Sequence, residues 1–434
     1  MNRPTGAVRC SSASCAAAPT PSRAGPRTSC ATSWASGCWV CPAICAPTPV
    51  CPGRRFPVAE YVFSEEQQEL RKAVRKFCTD HFDEQTVRRL MEATPRFDPK
   101  TWQRLGAELG VLGLSVPEDR GGAGGTLIDQ AVAVEELGAA LACGPIFGTV
   151  FLAIPALVAA QASPDTDSLL ADLVEGRRTA AVAIADRAGT FDSTTVTSDG
   201  STVTGTVERV VDAGAADVLL VAATGPDGVA LYAVDGADTE RTDLATLDLT
   251  RPQAKVRFDS APARLIAGPA EADRVIGHTL QVAAALLAVE QVGVISHLLD
   301  LAVDYAKTRL QFGRPIGSFQ AVKHRLADMM VDAEHARSTA YHAVWALADG
   351  SDDAALVTAI AQATCSAAAA RIGADTIQVL GGIGFTWEHR THLYFKRATT
   401  DAALLGSAEQ NRDRVAAMVL DTAVAERVPR VAVG

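Results

Sequence analysis

Residues Tyr305–Met329 read YAKTRLQFGRPIGSFQAVKHRLADM, and Gln378–Phe385 read QVLGGIGF. In the first stretch Arg309 stands just ahead of a turn containing Gly313 and Pro315. A guanidinium fixed beside a turn is suited to gripping a pyrophosphate through two parallel hydrogen bonds. Phe312 can cover the edge of a planar ring, and Gln311 and Gln378 can hydrogen-bond neutral heteroatoms. Gly381, Gly382 and Gly384 let a backbone come close to phosphates. Each residue also has a plainer reading: Arg309 as a surface helix residue, Phe312 as core, the glycines as a helix-ending turn. Together they suit a ligand that carries a pyrophosphate and a planar ring.

The chain around these stretches has 434 residues, 48% of them hydrophobic, ample for two or three packed units. It contains no uninterrupted apolar run of 18 or more, so no membrane span is expected. A formal charge of −10 argues against a nucleic-acid surface and for a small-molecule or protein partner. Residues 1–57 differ from the rest. They hold seven of the ten cysteines (Cys10, Cys15, Cys30, Cys38, Cys41, Cys45, Cys51), no Leu, Lys, Asp or Glu, and six arginines. The remaining 34 basic and 50 acidic residues leave the body at −16. Cys38 and Cys41 have zinc-like spacing, but the tail holds no His and no second pair, so no metal site is expected. An odd number of cysteines beside a body that reads as cytosolic argues against a disulfide framework. The composition is what a GC-rich gene gives when read out of frame, which places the expected true start near Val58. The tail should be disordered, since it cannot bury enough to offset its chain entropy.

The body reads as α+β in three parts, with helices, then strands, then helices. Residues 58–165 are expected to be helical. Ser64 and Gln67 form a capping box, Asp98-Pro99 opens a second helix, and an apolar helix is expected from Thr126 to Ala142. The cluster Gly121, Gly122, Gly124, Gly125 has no strand before it and no following Lys-Ser or Lys-Thr, so it reads as a connecting loop. Over residues 175–268 the period changes to two. Val- and Thr-rich runs are separated by Asp199-Gly200 and Gly225-Pro226-Asp227-Gly228, which gives a small antiparallel sheet or barrel. Residues 271–430 are helical again, with Pro315 confined to the loop at 312–317.

The order of these parts over roughly residues 60–430, with the long pattern RxQFGxPIxxFQxxxxxLADM, resembles the acyl-CoA dehydrogenase family. The resemblance implies an N-terminal helical domain, a middle β domain and a C-terminal four-helix bundle, assembled as tetramers with FAD at a dimer interface. It implies that Arg309, Gln311 and Phe312, and likewise Gln378, Gly381 and Gly382, meet FAD bound mainly by a neighbouring subunit. The family removes two hydrogens from an acyl-CoA thioester: a carboxylate abstracts the proton beside the carbonyl, and a hydride leaves the next carbon for the flavin. The family's base segment matches Leu404-Leu405-Gly406-Ser407, which puts Leu405 at the base position; the family's second base location falls at Ala283. Neither side chain can take a proton. The middle-domain flavin segment is reduced to Ala185-Asp186-Arg187-Ala188-Gly189.

Glu290, two helical turns beyond Ala283 and about 10 Å along, is the first candidate for a relocated base. Glu388 reads equally well as a loop ion pair with Arg390, Glu409 as a positioning residue, and His324 as a surface or interface histidine. The pattern resembles a subgroup in steroid- and fatty-acid-degrading bacteria, in which two homologous chains form an α2β2 heterotetramer. One chain keeps the base; the other lacks it and completes the FAD site. The stretch GGIGFTWEH resembles the base-less chain. This implies a base-bearing homologue as partner, an acyl-CoA substrate, electron-transferring flavoprotein as acceptor and a cytoplasmic location. The alternatives are a homotetrameric dehydrogenase using Glu290, a flavin monooxygenase on the same fold, and a non-catalytic scaffold.

Overall fold

A computed structural model of the chain describes residues 63–184, 195–350 and 352–421. The tail at 1–57 and the segment Ala185–Gly189 lie outside the described residues. The first helices are α1 (Glu65–His81), α2 (Glu84–Leu90) and α3 (Pro99–Ala107), and side chains start each one. Ser64 and Gln67 cap reciprocally, Asp83 accepts from the Thr86 amide, and Asp98 accepts from Thr101 with Pro99 in the first turn. These bonds satisfy amides that have no carbonyl partner within the helix. The glycine cluster is a connecting loop ahead of α4 (Leu127–Ala139). The amides of Gly122 and Gly124 are already bonded to the carbonyls of Pro117 and Val116. A Cβ on Gly122 would lie 2.2 Å from the Val116 carbonyl oxygen, so the loop is folded tightly on itself. Helix α4 ends three residues before the expected Ala142, because the chain turns there with Leu141 at φ 50°. A π-helical stretch (Ile146–Ala153) leads into α5 (Ile154–Ala159) and α6 (Pro164–Val174).

The strands are β1 (Ala180–Ala183), β2 (Val196–Ser198), β3 (Thr202–Val211), β4 (Val218–Gly225), β5 (Gly228–Asp235), β6 (Thr239–Asp243), β7 (Gln253–Pro262) and β8 (Arg264–Ala267). Their order is β6-β7-β3-β2-β4-β5-β8, with β1 added beside β4. The pairing is mainly antiparallel, but β1 and β2 each pair β4 in parallel. The period of two is visible in the burial. Ala181, Leu219, Val221, Tyr232, Val234 and Phe258 form one cluster on the inner side of the sheet. Val182, Leu220, Ala222, Leu231 and Ala233 alternate with them and join the helical core instead. The sheet is therefore apolar on both faces in its centre, as a strand sandwiched by two layers must be.

Beyond the sheet come α7 (Pro269–Thr308), a two-residue-per-arm hairpin of β9 (Leu310–Gln311) and β10 (Arg314–Pro315), then α8 (Gln320–Asp349), α9 (Ala354–Leu380), α10 (Thr391–Asp401) and α11 (Ala408–Ala416). Gly268 and Pro269 open α7, and Gly350 at φ 66° ends α8. Helices α7 and α9 each contain a stretch long and apolar enough to cross a bilayer. Those stretches are 83% and 61% buried inside the protein, which makes both core helices. Helices α4 and α7 cross at two glycines: a Cβ on Gly138 would meet the Glu290 carbonyl at 2.6 Å, and one on Gly293 the Glu135 carbonyl at 2.1 Å. That close approach packs the Glu290 carbonyl and Cγ against α4.

Asp212, at the end of β3, ties the sheet to the helices by accepting from the Gly148 amide at 2.9 Å. It is buried, and burial pushes its carboxyl up to about 6 against the opposing pull of Arg251 and the Gly148 bond. The folded chain thus holds this proton more tightly than the unfolded chain. The group's favourable contribution is present at acid pH and is lost as the pH rises from the ordinary value of 3.8 to about 6. Asp212 also sits at φ 63°, a conformation that asparagine tolerates. Asp212→Asn should therefore stabilise the protein by about 1–3 kcal/mol at pH 7 and change little at pH 4. Denaturant unfolding at the two pH values measures it; equal effects at both would sink the assignment.

Candidate functional site

Three arrangements bear on function. The first is the β9–β10 hairpin with the end of α9. Gln311 pairs Arg314 across a two-residue turn in which Phe312 has φ 53° and Gly313 φ 75°. Both central residues at positive φ make a tight hairpin turn of the kind whose twist suits a strand pair. The turn thrusts Phe312 out to 91% exposure, with Leu310 at 62%. The Phe312 ring meets Phe319 edge-on at 6.1 Å, and the Arg314 guanidinium lies 4.1 Å over Phe319. Arg309 is the C-cap of α7; its side chain is exposed and has no partner among the described residues. At the far end of α9, Gln378, Gly381 and Gly382 are exposed too. Gly381 has φ 66°, and a Cβ on Gly381 or Gly382 would meet nothing within 4 Å. Ile383, Phe385 and Trp387 continue this surface at 44%, 81% and 60% exposure.

The second arrangement is a cavity of about 590 Å³ between the sheet and the C-terminal end of α10. Leu405 lines it, together with Phe147, Val182, Val211 and Leu244. Leu405 is held at φ 58° and Gly406 at φ 98°, just before Ser407 and Gln410 cap α11 reciprocally. A leucine in the left-handed region carries roughly 1–2 kcal/mol of strain, so the loop geometry is imposed by its surroundings. No Asp, Glu or His is among the residues that line this cavity. Ala283 is fully buried in α7 and does not line it.

The third arrangement is behind that cavity. Glu290, the candidate for a relocated base, lies in a buried ion cluster. Its carboxylate accepts from Arg251 at 2.5 Å and from Arg397 at 2.8 Å. Arg397 also donates to Asp248 at 2.7 Å and to the Thr250 hydroxyl at 2.6 Å. Asp401 completes the cluster 3.4 Å from Arg251, fully buried, with neither oxygen hydrogen-bonded among the described residues. Burial drives its carboxyl well above the usual range, and Glu290 adds to the shift, while Arg251 and Arg397 oppose it. Glu290 does not line the Leu405 cavity, and both guanidiniums hold its oxygens. Its place in the fold is that of an anchor between α7, the loop before β7 and α10.

The remaining candidates lie elsewhere. His324 shares a hydrogen bond with Gln320 on the exposed face of α8. Glu409 is exposed in the first turn of α11, 3.8 Å from Arg412. Glu388 is exposed, and hydrogen bonds with its own amide and with Thr386, rather than an ion pair with Arg390, lower its carboxyl. A larger crevice of about 680 Å³ runs between α1, α4, α7 and α10. Its buried carboxylates are already matched: Glu135 by Arg71, Arg337 and Tyr341, Glu136 by Arg71 and Arg75. The ion cluster was invisible in the sequence, since Arg251 and Arg397 sit among polar neighbours and read as surface charges.

The family models described as the N-terminal and C-terminal domains of acyl-CoA dehydrogenase match residues 64–166 and 274–420. The acyl-CoA dehydrogenase IpdE2 of Mycolicibacterium smegmatis is 36% identical over 356 residues, covering 82% of this chain and 99% of that protein. A solved Tcur3481–Tcur3483 steroid ACAD is 32% identical with a TM-score of 0.76, covering 83% of this chain and 99% of the matched one. The ChsE4–ChsE5 complex from Mycobacterium tuberculosis is 29% identical with a TM-score of 0.76, covering 85% and 99%. The fold and both terminal domains thus define a flavin-type oxidoreductase acting on CH–CH bonds. The chain belongs to the acyl-CoA dehydrogenase family.

The cofactor of that family is FAD, and this chain's exposed residues fit part of it. The Arg309 guanidinium has no partner among the described residues, and the space beside the Gly381 and Gly382 backbone is open. These groups face outward.

Proposed function

We propose that this chain serves the FAD-dependent α,β-dehydrogenation of an acyl-CoA thioester as the base-less subunit of an α2β2 complex with a base-bearing homologue. The observation that carries this reading is the Leu405 cavity: at the family's base position stands an alkyl group, and no lining residue can take the proton beside the thioester carbonyl. Arg309 and Gln311 from the hairpin, with Gln378 and the Gly381–Gly382 backbone, would hold the pyrophosphate and neighbouring heteroatoms of FAD seated in the partner. FAD supplies the hydride acceptor; this chain supplies binding and orientation. A steroid-derived acyl group is the favoured substrate, in keeping with the steroid ACAD relative. Electron-transferring flavoprotein would take the electrons onward.

Removing a charge-assisted contact should weaken FAD by about 1.5–3 kcal/mol, roughly 10- to 150-fold. Arg309→Ala should therefore purify with little flavin, and Gln378→Ala with less than the parent. The check is the flavin-to-protein absorbance ratio after gel filtration. Full flavin retention in both variants would remove the basis of the assignment. Anaerobic bleaching of the bound flavin by acyl-CoA, with no oxygen inserted into product, separates a dehydrogenase from a monooxygenase on the same fold.

A further inference from the structure

We propose that the buried ion cluster takes up one proton when the chain folds and carries it on Asp401, so that the joint between the sheet and the helical bundle is a pH-sensitive latch. The cluster is short of positive charge. Asp248, Glu290 and Asp401 face Arg251 and Arg397, and all five side chains are at most 4% exposed. No other cation pairs with these carboxylates among the described residues. With all three ionised, one negative charge would stand unmatched in a low-dielectric interior, and a group placed so takes a proton instead. Hydrogen bonds decide which carboxylate that is. Asp248 accepts from the Thr250 amide at 2.8 Å, the Thr250 hydroxyl at 2.6 Å and Arg397 at 2.7 Å. Glu290 accepts from both guanidiniums. Asp401 lies 3.4 Å from Arg251, and neither of its oxygens has a hydrogen-bond partner among the described residues. Bonds to the charged form keep a carboxylate ionised, so Asp401, which has none, is the neutral member.

The other titratable groups around the cluster do not supply the missing charge. Asp212, at the end of β3, feels Arg251, Arg397 and Glu290 and loses its own proton at about 6. Cys143, which feels Arg397 and Asp248, and Tyr394 on α10 are both pushed up by burial and stay neutral. The Phe147 ring, 5.4 Å from the Arg251 guanidinium, brings no charge. Burial pushes the Asp401 carboxyl up from 3.8 to about 8; Glu290 and Asp248 add to the rise, while Arg251 and Arg397 oppose it. The folded chain therefore keeps a proton that the unfolded chain gives up near 3.8. The stability this contributes is present at acid pH and is lost as the pH climbs to about 8. Within that window each pH unit should raise the unfolding constant about tenfold for this proton alone. Asp401 ends α10, Arg251 stands in the loop before β7 and Glu290 in α7, so deprotonation puts an unmatched charge where three elements meet. No member of the cluster lines the Leu405 cavity, and none belongs to the flavin-facing set.

The test uses the protein as purified, with whatever partner chain and flavin it retains. Infrared spectra at pH 7 should show the carbonyl stretch of a protonated carboxylic acid, shifted in heavy water and fading as the pH is raised to 9. Asp401→Asn should lack that band and Asp212→Asn should keep it. Urea unfolding gives the second readout. Between pH 6.5 and pH 7.5 the unfolding constant should change about tenfold less in Asp401→Asn than in the parent. A parent spectrum without the stretch at pH 7, a stretch that Asp401→Asn leaves unchanged, or equal pH dependence in the two proteins would overturn the proposal. If Asp401→Asn does not fold, the infrared titration of the parent and of Asp212→Asn decides. A band still present at pH 7 in both upholds the proposal, and one already gone at pH 7, or missing from Asp212→Asn, assigns the proton elsewhere and overturns it.

Discussion

Expressed alone, the chain should oxidise acyl-CoA thioesters roughly 10²–10⁴ times more slowly than when mixed with the base-bearing homologue proposed as its partner, the usual penalty for a missing general base. Proton abstraction beside a thioester needs a carboxylate within hydrogen-bond reach of that carbon. Leu405 offers none, Ala283 is buried in α7, and Glu290 is occupied by Arg251 and Arg397. The measurement is acyl-CoA oxidation with an artificial electron acceptor, by the lone chain and by the pair. The pair should be active, should lose activity when the partner's carboxylate is replaced, and should keep it with Glu290→Gln once the folded fraction is matched. Rapid turnover by the lone chain, abolished in folded Glu290→Gln, would instead establish a homotetramer with a relocated base.

The second large effect is on stability. Arg397→Met should destabilise the protein by about 3–5 kcal/mol, because it strands buried carboxylates rather than merely deleting a bond. The guanidinium, 1% exposed, serves Asp248, Glu290, the Thr250 hydroxyl and the Thr250 carbonyl together. Its removal leaves Arg251 alone against Asp248, Glu290 and Asp401. By contrast the Arg257–Glu240 pair on the sheet is 55% and 71% exposed, and Arg257→Met should cost under about 1 kcal/mol. Parallel urea titrations decide it: an Arg397→Met midpoint as close to the parent as that of Arg257→Met would refute the ion cluster as an anchor.

How much of this was legible beforehand follows from which forces act locally. The caps at Ser64 and Asp98 and the change from helical to two-residue period were readable, because side-chain capping and alternation depend on neighbours in sequence. The hairpin stretch was readable because a turn needs particular residues at particular offsets. The parallel pairing of β1 and β2 with β4 was not, since these strands are only four and three residues long and only the chain's return path sets their direction. The ion cluster was hidden for a different reason. In FKRATTD nothing distinguishes Arg397 from the neighbouring Lys396, yet the first is fully enclosed and the second lies over Trp387. Phe312, whose plainer reading was core, is the most exposed large apolar side chain described. Leu405 and Ala283 were identified as alkyl replacements from the motif alone, but that Leu405 opens onto a cavity and Ala283 does not required the packing.

The β9–β10 hairpin has only two residues in each arm, and the Phe312 ring at its tip meets Phe319 edge-on. A cofactor completed by such a projection belongs to no single polypeptide. On the reading proposed above, the yellow colour of a preparation is a census of joined pairs and not of chains. A spectrophotometer pointed at the flavin band then serves as an assembly gauge, with a calibration set by how many hairpins have found their neighbour.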